Sequence, residues 1–166
     1  WHEEVNFNKV KADGYDYVII RAGYGNLTSQ KDDMFESHYK NAKAAGLKVG
    51  AYWYSYSDSV ADSKKEAQAC LNAIKGKKFD LPIYYDLEED FMWDLSRSTV
   101  TNMADTFCSM IEKSGYKAGI YASSSWFNDL LDKPTLSKKY STWLAKIDGD
   151  FTTVTDDIHQ FTFSGN

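Results

Sequence analysis

Twice in this chain a helix-like stretch stops at a glycine and runs directly into a strand-like segment with a small residue before an aromatic. The two units are Ala45-Gly46-Leu47-Lys48-Val49-Gly50-Ala51-Tyr52 and Ser114-Gly115-Tyr116-Lys117-Ala118-Gly119-Ile120-Tyr121. A glycine past the last helical turn supplies the left-handed residue that ends a helix. A strand entered from a helix is one half of a helical crossover, which joins parallel strands. Six apolar, β-branched or aromatic runs fit the strand role: Tyr17–Gly23, Lys48–Ser55, Leu81–Glu88, Lys117–Ser123, Ser141–Ile147 and Ile158–Phe163. Between them, Lys31–Ala45, Ser59–Lys75 and Ser98–Ser114 carry apolar residues at helical spacing, with Ser96 or Ser98 available to cap the third and Gly46, Gly76 and Gly115 placed to end each one. The pattern predicts an α/β fold with a parallel sheet, either open and doubly wound or closed into a barrel, and the barrel is favoured. After Ser123 the helical signal shrinks to a short stretch near Ser125–Leu131, so the late strands are joined by loops. A regular eightfold barrel usually takes about 250 residues. A chain of 166 residues therefore points to an abbreviated, irregular TIM-like barrel.

That length, with 43% hydrophobic residues, supports one core and one domain, residues 1–166. Pro134 marks a polar loop and no domain boundary. A net charge of −5 argues against nucleic acid, which demands a concentrated basic face. The longest apolar runs, Tyr17–Ala22 and Val49–Tyr56, fall far short of the roughly 20 residues that span a bilayer. The chain starts at Trp1 with no basic-then-apolar leader, so an export signal is either removed or never present. Cys70 and Cys108 sit in helix-like segments and read as buried thiols acting as small hydrophobes. His2, His38 and His159 are scattered, and no Cys/His cluster has zinc spacing.

Chemistry concentrates in Leu81-Pro82-Ile83-Tyr84-Tyr85-Asp86-Leu87-Glu88-Glu89-Asp90. Side chains alternate along a strand, so Asp86 and Glu88 share a face with α-carbons about 6.5–7 Å apart. At the carboxyl end of a parallel strand they open onto the active-site side of the fold, where two acids repel and their pKa values separate. An acid for the leaving oxygen beside a second carboxylate is the equipment of glycoside cleavage, and Glu88, farther out, is the candidate acid. On spacing alone a second account stands beside this one: acids gather at a strand end and face solvent, as expected for Glu89 and Asp90. A magnesium site is less well supported, because the chain has no phosphate-binding loop; Gly23-Tyr24-Gly25 lacks the third glycine. Ser123-Ser124-Ser125 lacks the glycines of a nucleophile elbow.

Tyr52, Tyr54, Tyr121 and Trp143 fall near strand carboxyl ends, where rings can stack on sugar faces, although core packing explains any single one equally well. Arg21 lies in an apolar strand and requires an acidic partner, for which a carboxylate at the barrel mouth is the natural choice; a structural ion pair and a substrate contact are both open.

Taken in order, Phe7-Asn8-Lys9-Val10-Lys11, Tyr17–Gly25, Gly50-Ala51-Tyr52, Tyr85-Asp86-Leu87-Glu88, Gly119-Ile120-Tyr121, Trp143-Leu144-Ala145 and Asp157-Ile158-His159-Gln160-Phe161 resemble glycoside hydrolase family 25, the Chalaropsis-type lysozymes. The resemblance covers nearly the whole chain. It implies a (β/α)5(β)3 barrel and hydrolysis of the β-1,4 bond between N-acetylmuramic acid and N-acetylglucosamine, without a metal or other cofactor. It also implies that Glu88 is the general acid and that Asp86 assists the substrate's own acetamido group as nucleophile, with net retention. Arg21 and Tyr52 match positions where the family places a basic and an aromatic cleft residue. The implied partner is bacterial peptidoglycan, met by a monomer outside the cell or at the cell wall, secreted or phage-borne. Against the family pattern, the chain begins just past the expected first strand with its Asp-x-Ser motif and stops short of the last acidic strand, so a trimmed domain is expected. His159 stands where the family often has Trp. A glycan-binding module of the same fold and a chitinase-like barrel are the alternatives.

Overall fold

The computed structural model describes residues 4–147 and 155–162; Trp1, His2, Phe163 and Asn166 lie outside the described residues. Six parallel strands pair strictly in chain order, as a curled half-barrel: β1 (Tyr17–Tyr24), β2 (Lys48–Tyr54), β3 (Ile83–Asp86), β4 (Ala118–Ser123), β5 (Ser141–Ala145) and β6 (Ile158–Gln160). The helices are α1 (Phe7–Ala12), α2 (Phe35–Ala44), α3 (Val60–Ile74), α4 (Arg97–Lys113) and α5 (Lys133–Leu136). α2, α3 and α4 are the crossovers from β1 to β2, β2 to β3 and β3 to β4. Past β4, a single wide π-type turn at Trp126–Leu130 and the short α5 lead to β5, in keeping with the weak helical signal there.

Local chemistry sets the ends. Ser59 caps α3 and Ser96 caps α4, each accepting a backbone N–H from three residues on. Gly46 and Gly115, the stops of the repeated unit, have φ of +76° and +88°. Two expectations shift, and one helix is added. The helix expected from Lys31 starts at Phe35, because Asp32 spends its side chain on the Met34 N–H and on Arg21 and so holds the preceding residues as a loop. The strand expected over Leu81–Glu88 pairs regularly only over Ile83–Asp86, although Leu87 N–H still donates to the Tyr121 carbonyl at 3.1 Å. Phe7–Ala12 is helical, with the Asn6 side chain capping it through the Lys9 N–H; six residues are too few for periodicity to reveal.

The two faces of the sheet bury different things. Outward residues such as Val49, Ala51, Trp53, Ile83, Tyr85, Leu87 and Ile120 form the main core under the helices, with Tyr85 stacked on Phe107 of α4 at 4.0 Å between ring centroids. Cys70 and Cys108 belong to this core as free thiols. Inward residues form a smaller cluster of Tyr84, Tyr121 and Ala145, with Ile19, Tyr52, Trp143 and Ile158 packed against it. Tyr84 fits there because its ladder neighbour is Gly119: a Cβ on Gly119 would lie 2.4 Å from the Tyr84 ring and 3.0 Å from the Ser141 carbonyl oxygen. Gly119→Ala is therefore expected to cost about 1–3 kcal/mol of stability by overpacking. The same change in a Tyr84→Ala background should cost clearly less, as measured by urea denaturation of the four proteins in the cycle.

Candidate active site

Parallel register arranges the inward side chains in rungs. Arg21, Tyr52, Tyr84, Gly119 and Ser141 make one; Tyr24, Tyr54, Asp86, Tyr121, Trp143 and Ile158 make the next, nearer the carboxyl ends. Above the first three strands these rungs open into a cleft of about 550 Å³ lined by Arg21, Tyr24, Tyr52, Tyr54, Tyr56, Asp86 and Glu88. Asp86 and Glu88 thus do share one cavity, as their two-residue spacing predicts.

The two acids have different surroundings. Asp86 is only 5% exposed, and its Oδ1 has no hydrogen-bond partner among the described residues. Burial pushes its carboxyl well above the ordinary range, with Glu88 and then Glu89 adding like-charge repulsion. Glu88, past the end of β3, is more open; burial and then Glu89 push it up as well. Both carboxyls are thus pushed toward their protonated forms, Asp86 chiefly by its depth in the sheet and Glu88 by its partial burial. Glu89, expected simply to face solvent, is half-buried and accepts the Tyr54 hydroxyl at 2.7 Å, whereas Asp90 is exposed.

Arg21 does two things at once. Its Nε donates to Asp32 Oδ2 at 2.5 Å, and its guanidinium lies 5.5 Å from the centre of the Tyr24 ring while lining the cleft. The partner is a nearly buried residue just beyond β1, not one of the strand-end acids. Tyr52 and Tyr54 line the cleft as expected. Tyr121 and Trp143 do not reach its wall: they pack edge to face at 4.7 Å inside the half-barrel, Tyr121 being buried but close enough to Glu88 and Asp86 for their charges to raise its phenol pKa after burial does so. Sequence reasoning missed Tyr24 and Tyr56. Tyr56 continues the alternation of Tyr52 and Tyr54, a signal that was available. Tyr24 is three residues from Arg21 and would face the other way on a regular strand. A register shift between Arg21 and Gly23 returns it to the cleft side. Among the described residues, no three His, Cys, Asp or Glu side chains are grouped so as to hold a metal ion, and no helix is long and apolar enough to cross a membrane.

The sequence that builds this tyrosine-walled cleft over two strand-end acids matches the model for glycosyl hydrolases family 25 across residues 1–166. The chain belongs to this family. Similar proteins include the autolytic lysozyme of Clostridium acetobutylicum, 27% identical over 86% of this chain and 41% of that protein. Lysozyme M1 of Streptomyces globisporus is also 27% identical, over 98% of this chain and 58% of that protein, so the chain spans about half the length of these two relatives. The crystal structure of the Streptomyces coelicolor lysozyme shares the fold, with a TM-score of 0.83 at 24% identity over 100% of this chain and 82% of that one.

The electrostatics of this family 25 site carry a cost in stability. A carboxyl whose native pKa stands above its unfolded value binds more protons in the native state, so stability falls as pH rises from the ordinary value of 3.8 through the elevated native one. Asp86→Asn removes the titrating group. The variant is expected to be more stable than the parent at neutral pH, with the difference shrinking as pH falls below the carboxylate range, as read from urea midpoints across a pH series.

Proposed function

We propose that this chain is the catalytic module of an N-acetylmuramidase that hydrolyses the β-1,4 bond between N-acetylmuramic acid and N-acetylglucosamine in peptidoglycan, with net retention. The observation that carries the reading is Asp86: a buried carboxyl with an unpartnered oxygen, beside Glu88, in a cleft walled by tyrosines. A buried acceptor with no partner calls for a donor from the ligand. The N–H of an N-acetyl group two atoms from the anomeric carbon is such a donor.

In this scheme the Asp86 carboxylate accepts that N–H and orients the acetamido oxygen toward the anomeric carbon. Glu88 gives its proton to the glycosidic oxygen as the bond breaks, and the acetamido oxygen closes on the anomeric carbon to form an oxazolinium ring. Glu88, now a carboxylate, takes a proton from the water that reopens the ring, so the configuration is kept. Asp86 must be ionised when the positive ring forms. The substrate N–H and the developing cation both favour its charged form and oppose the burial that raises its pKa. Tyr24, Tyr52, Tyr54 and Tyr56 offer ring faces and phenol donors to the sugars, and Arg21, with one donor spent on Asp32, offers the others to acetyl or lactyl oxygens. Tyr121 and Trp143 support this wall from inside rather than touching the glycan.

The architecture we infer is the (β/α)5(β)3 barrel, with residues 1–166 as a single catalytic domain. Four strand–helix steps, β1–α2, β2–α3, β3–α4 and β4–α5, with α1 ahead of them and the loop-joined β5 and β6 after them, support it. The site of action we infer is the bacterial cell wall, where the chain acts as a monomer; a relative named as an autolytic lysozyme supports the first part of this reading.

Purified protein incubated with peptidoglycan should release fragments with N-acetylmuramic acid at the new reducing end, with the β-anomer formed first as followed by NMR. Glu88→Gln is expected to lower turnover by about 10²–10⁴-fold, the usual worth of a general acid. Asp86→Asn should lose most turnover while still binding glycan. Glycan binding without any cleavage by the parent protein would make the chain a binding module, and cleavage of chitin in preference to peptidoglycan would reassign the substrate.

A further inference from the structure

Behind the sheet, on the face away from the cleft, the fully buried polar side chains of Ser55, Ser57, Glu66 and Tyr85 meet among hydrophobic residues. Glu66, from α3, is the hub. Its Oε2 accepts the Tyr85 hydroxyl at 2.6 Å and the Ser55 hydroxyl at 2.9 Å, and its Oε1 accepts the Tyr56 backbone N–H at 2.8 Å. The Tyr85 oxygen also lies 2.8 Å from Ser55 Oγ and 3.2 Å from Ser57 Oγ. Burial pushes the Glu66 carboxyl up, while hydrogen bonds from Tyr85, Tyr56, Ser55 and Ser57 pull it down. None of this cluster lines the cleft.

Every group that Glu66 holds belongs to a cleft residue or to its immediate neighbour, and the alternation of side chains makes this so. Tyr85 points back toward the helices and Asp86, next along β3, points into the cleft. Ser55 points back, while Tyr54 and Tyr56 on either side of it line the cleft, and Ser55 N–H donates to the Asp86 carbonyl at 3.0 Å. A single carboxyl therefore ties the exits of β2 and β3 to α3 and to each other. An apolar side chain in its place would leave the Tyr56 N–H without its acceptor and the Ser55 and Tyr85 hydroxyls with only each other and Ser57 as partners. Catalytic groups must stay within about 0.5 Å of their working geometry, and a misplacement of about 1 Å can cost about 10²-fold in rate.

We propose that Glu66 is a positioning residue for the cleft: acting through Tyr85 and the Ser55–Tyr56 segment, it fixes Asp86 and the Tyr54–Tyr56 wall in the geometry that glycoside cleavage uses. This inference rests on the glycosidase reading for its purpose and on the hydrogen bonds alone for its geometry.

The test compares the parent chain with Glu66→Gln, Glu66→Ala and Tyr85→Phe. Two readouts are used: kcat and KM on soluble peptidoglycan fragments well below each melting midpoint, and the titration of the Asp86 carboxyl by carbon-13 NMR. The charged or titratable groups around Asp86 are Glu88 and Glu89 on its own segment, Tyr52 and Tyr54 on β2, Arg21 with Asp32 from β1 and its following loop, and Tyr121 on β4. None of these is altered by the substitutions. Glu66→Ala is expected to lose about 10²-fold in kcat, with a smaller change in KM, and to let the Asp86 titration fall toward the ordinary carboxylate range as water reaches it. Glu66→Gln, which keeps one acceptor oxygen, should recover most of both. A Glu66→Ala protein that melts lower but keeps the parent kcat and the parent Asp86 titration would overturn the proposal and leave Glu66 a fold residue only. If Glu66→Ala does not fold, Tyr85→Phe, which removes one hydroxyl, decides by the same two readouts. If the parent shows no cleavage, the muramidase reading falls, and the Asp86 titration still decides whether Glu66 sets the cleft.

Discussion

The two-residue period of a parallel strand governs nearly everything in this molecule. On β3 and the two residues after it, Ile83, Tyr85 and Leu87 point outward into a core covered by helices, while Tyr84, Asp86 and Glu88 point into the concave side. Burial of the outward set holds the strand in place, at roughly 25 cal/mol for each Å² of apolar surface removed from water. The inward set is then free to be polar. Because the strands run parallel and in register, the same division repeats on each neighbour, and inward residues from different strands line up in rungs. The cleft is what remains where the upper rungs of β1, β2 and β3 are not filled by packed side chains.

This division explains how a carboxyl comes to be buried without a partner. Asp86 is carried by a strand whose other residues are fully buried, so its depth is set by packing it takes no part in. Tyr121 beside it in the rung is engaged with Trp143, and Tyr54 on the other side gives its hydroxyl to Glu89. Neither is hydrogen-bonded to the Asp86 Oδ1, and the resulting desolvation raises its pKa. A free-energy penalty in the empty protein becomes selectivity when a ligand brings the missing donor.

The sheet and its helices were legible in the sequence because they rest on local signals. The glycine stops, the serine caps and the apolar runs all act within a few residues, and the six strands appear where those signals lie. The Asp86/Glu88 pair was legible for the same reason: two residues on one strand share a face whatever the rest of the chain does. Features of the site that depend on another element were not. Asp32 as the partner of Arg21 requires knowing that the chain turns back after β1; Glu89 as the acceptor for Tyr54 requires the β2–β3 register. Tyr121 and Trp143 sit at the right height but are drawn into each other, a choice that only the curl of the sheet decides. Glu66 carried no sequence signal, since an acid on an amphipathic helix usually faces water.

The irregularity in β1 between Arg21 and Gly23 has a further meaning for how this wall of the cleft is specified. Arg21 and Tyr24 both reach the cavity only because one residue between them is not counted in the pairing with β2. What the strand encodes there is a number of residues as much as their identities. Loss of a single residue from this stretch would conserve every functional side chain in the sequence and still turn one of the two away from the cavity. In such a strand the damaging change is one of phase, and two chains with the same residues in the same order can differ in whether those residues ever meet a ligand.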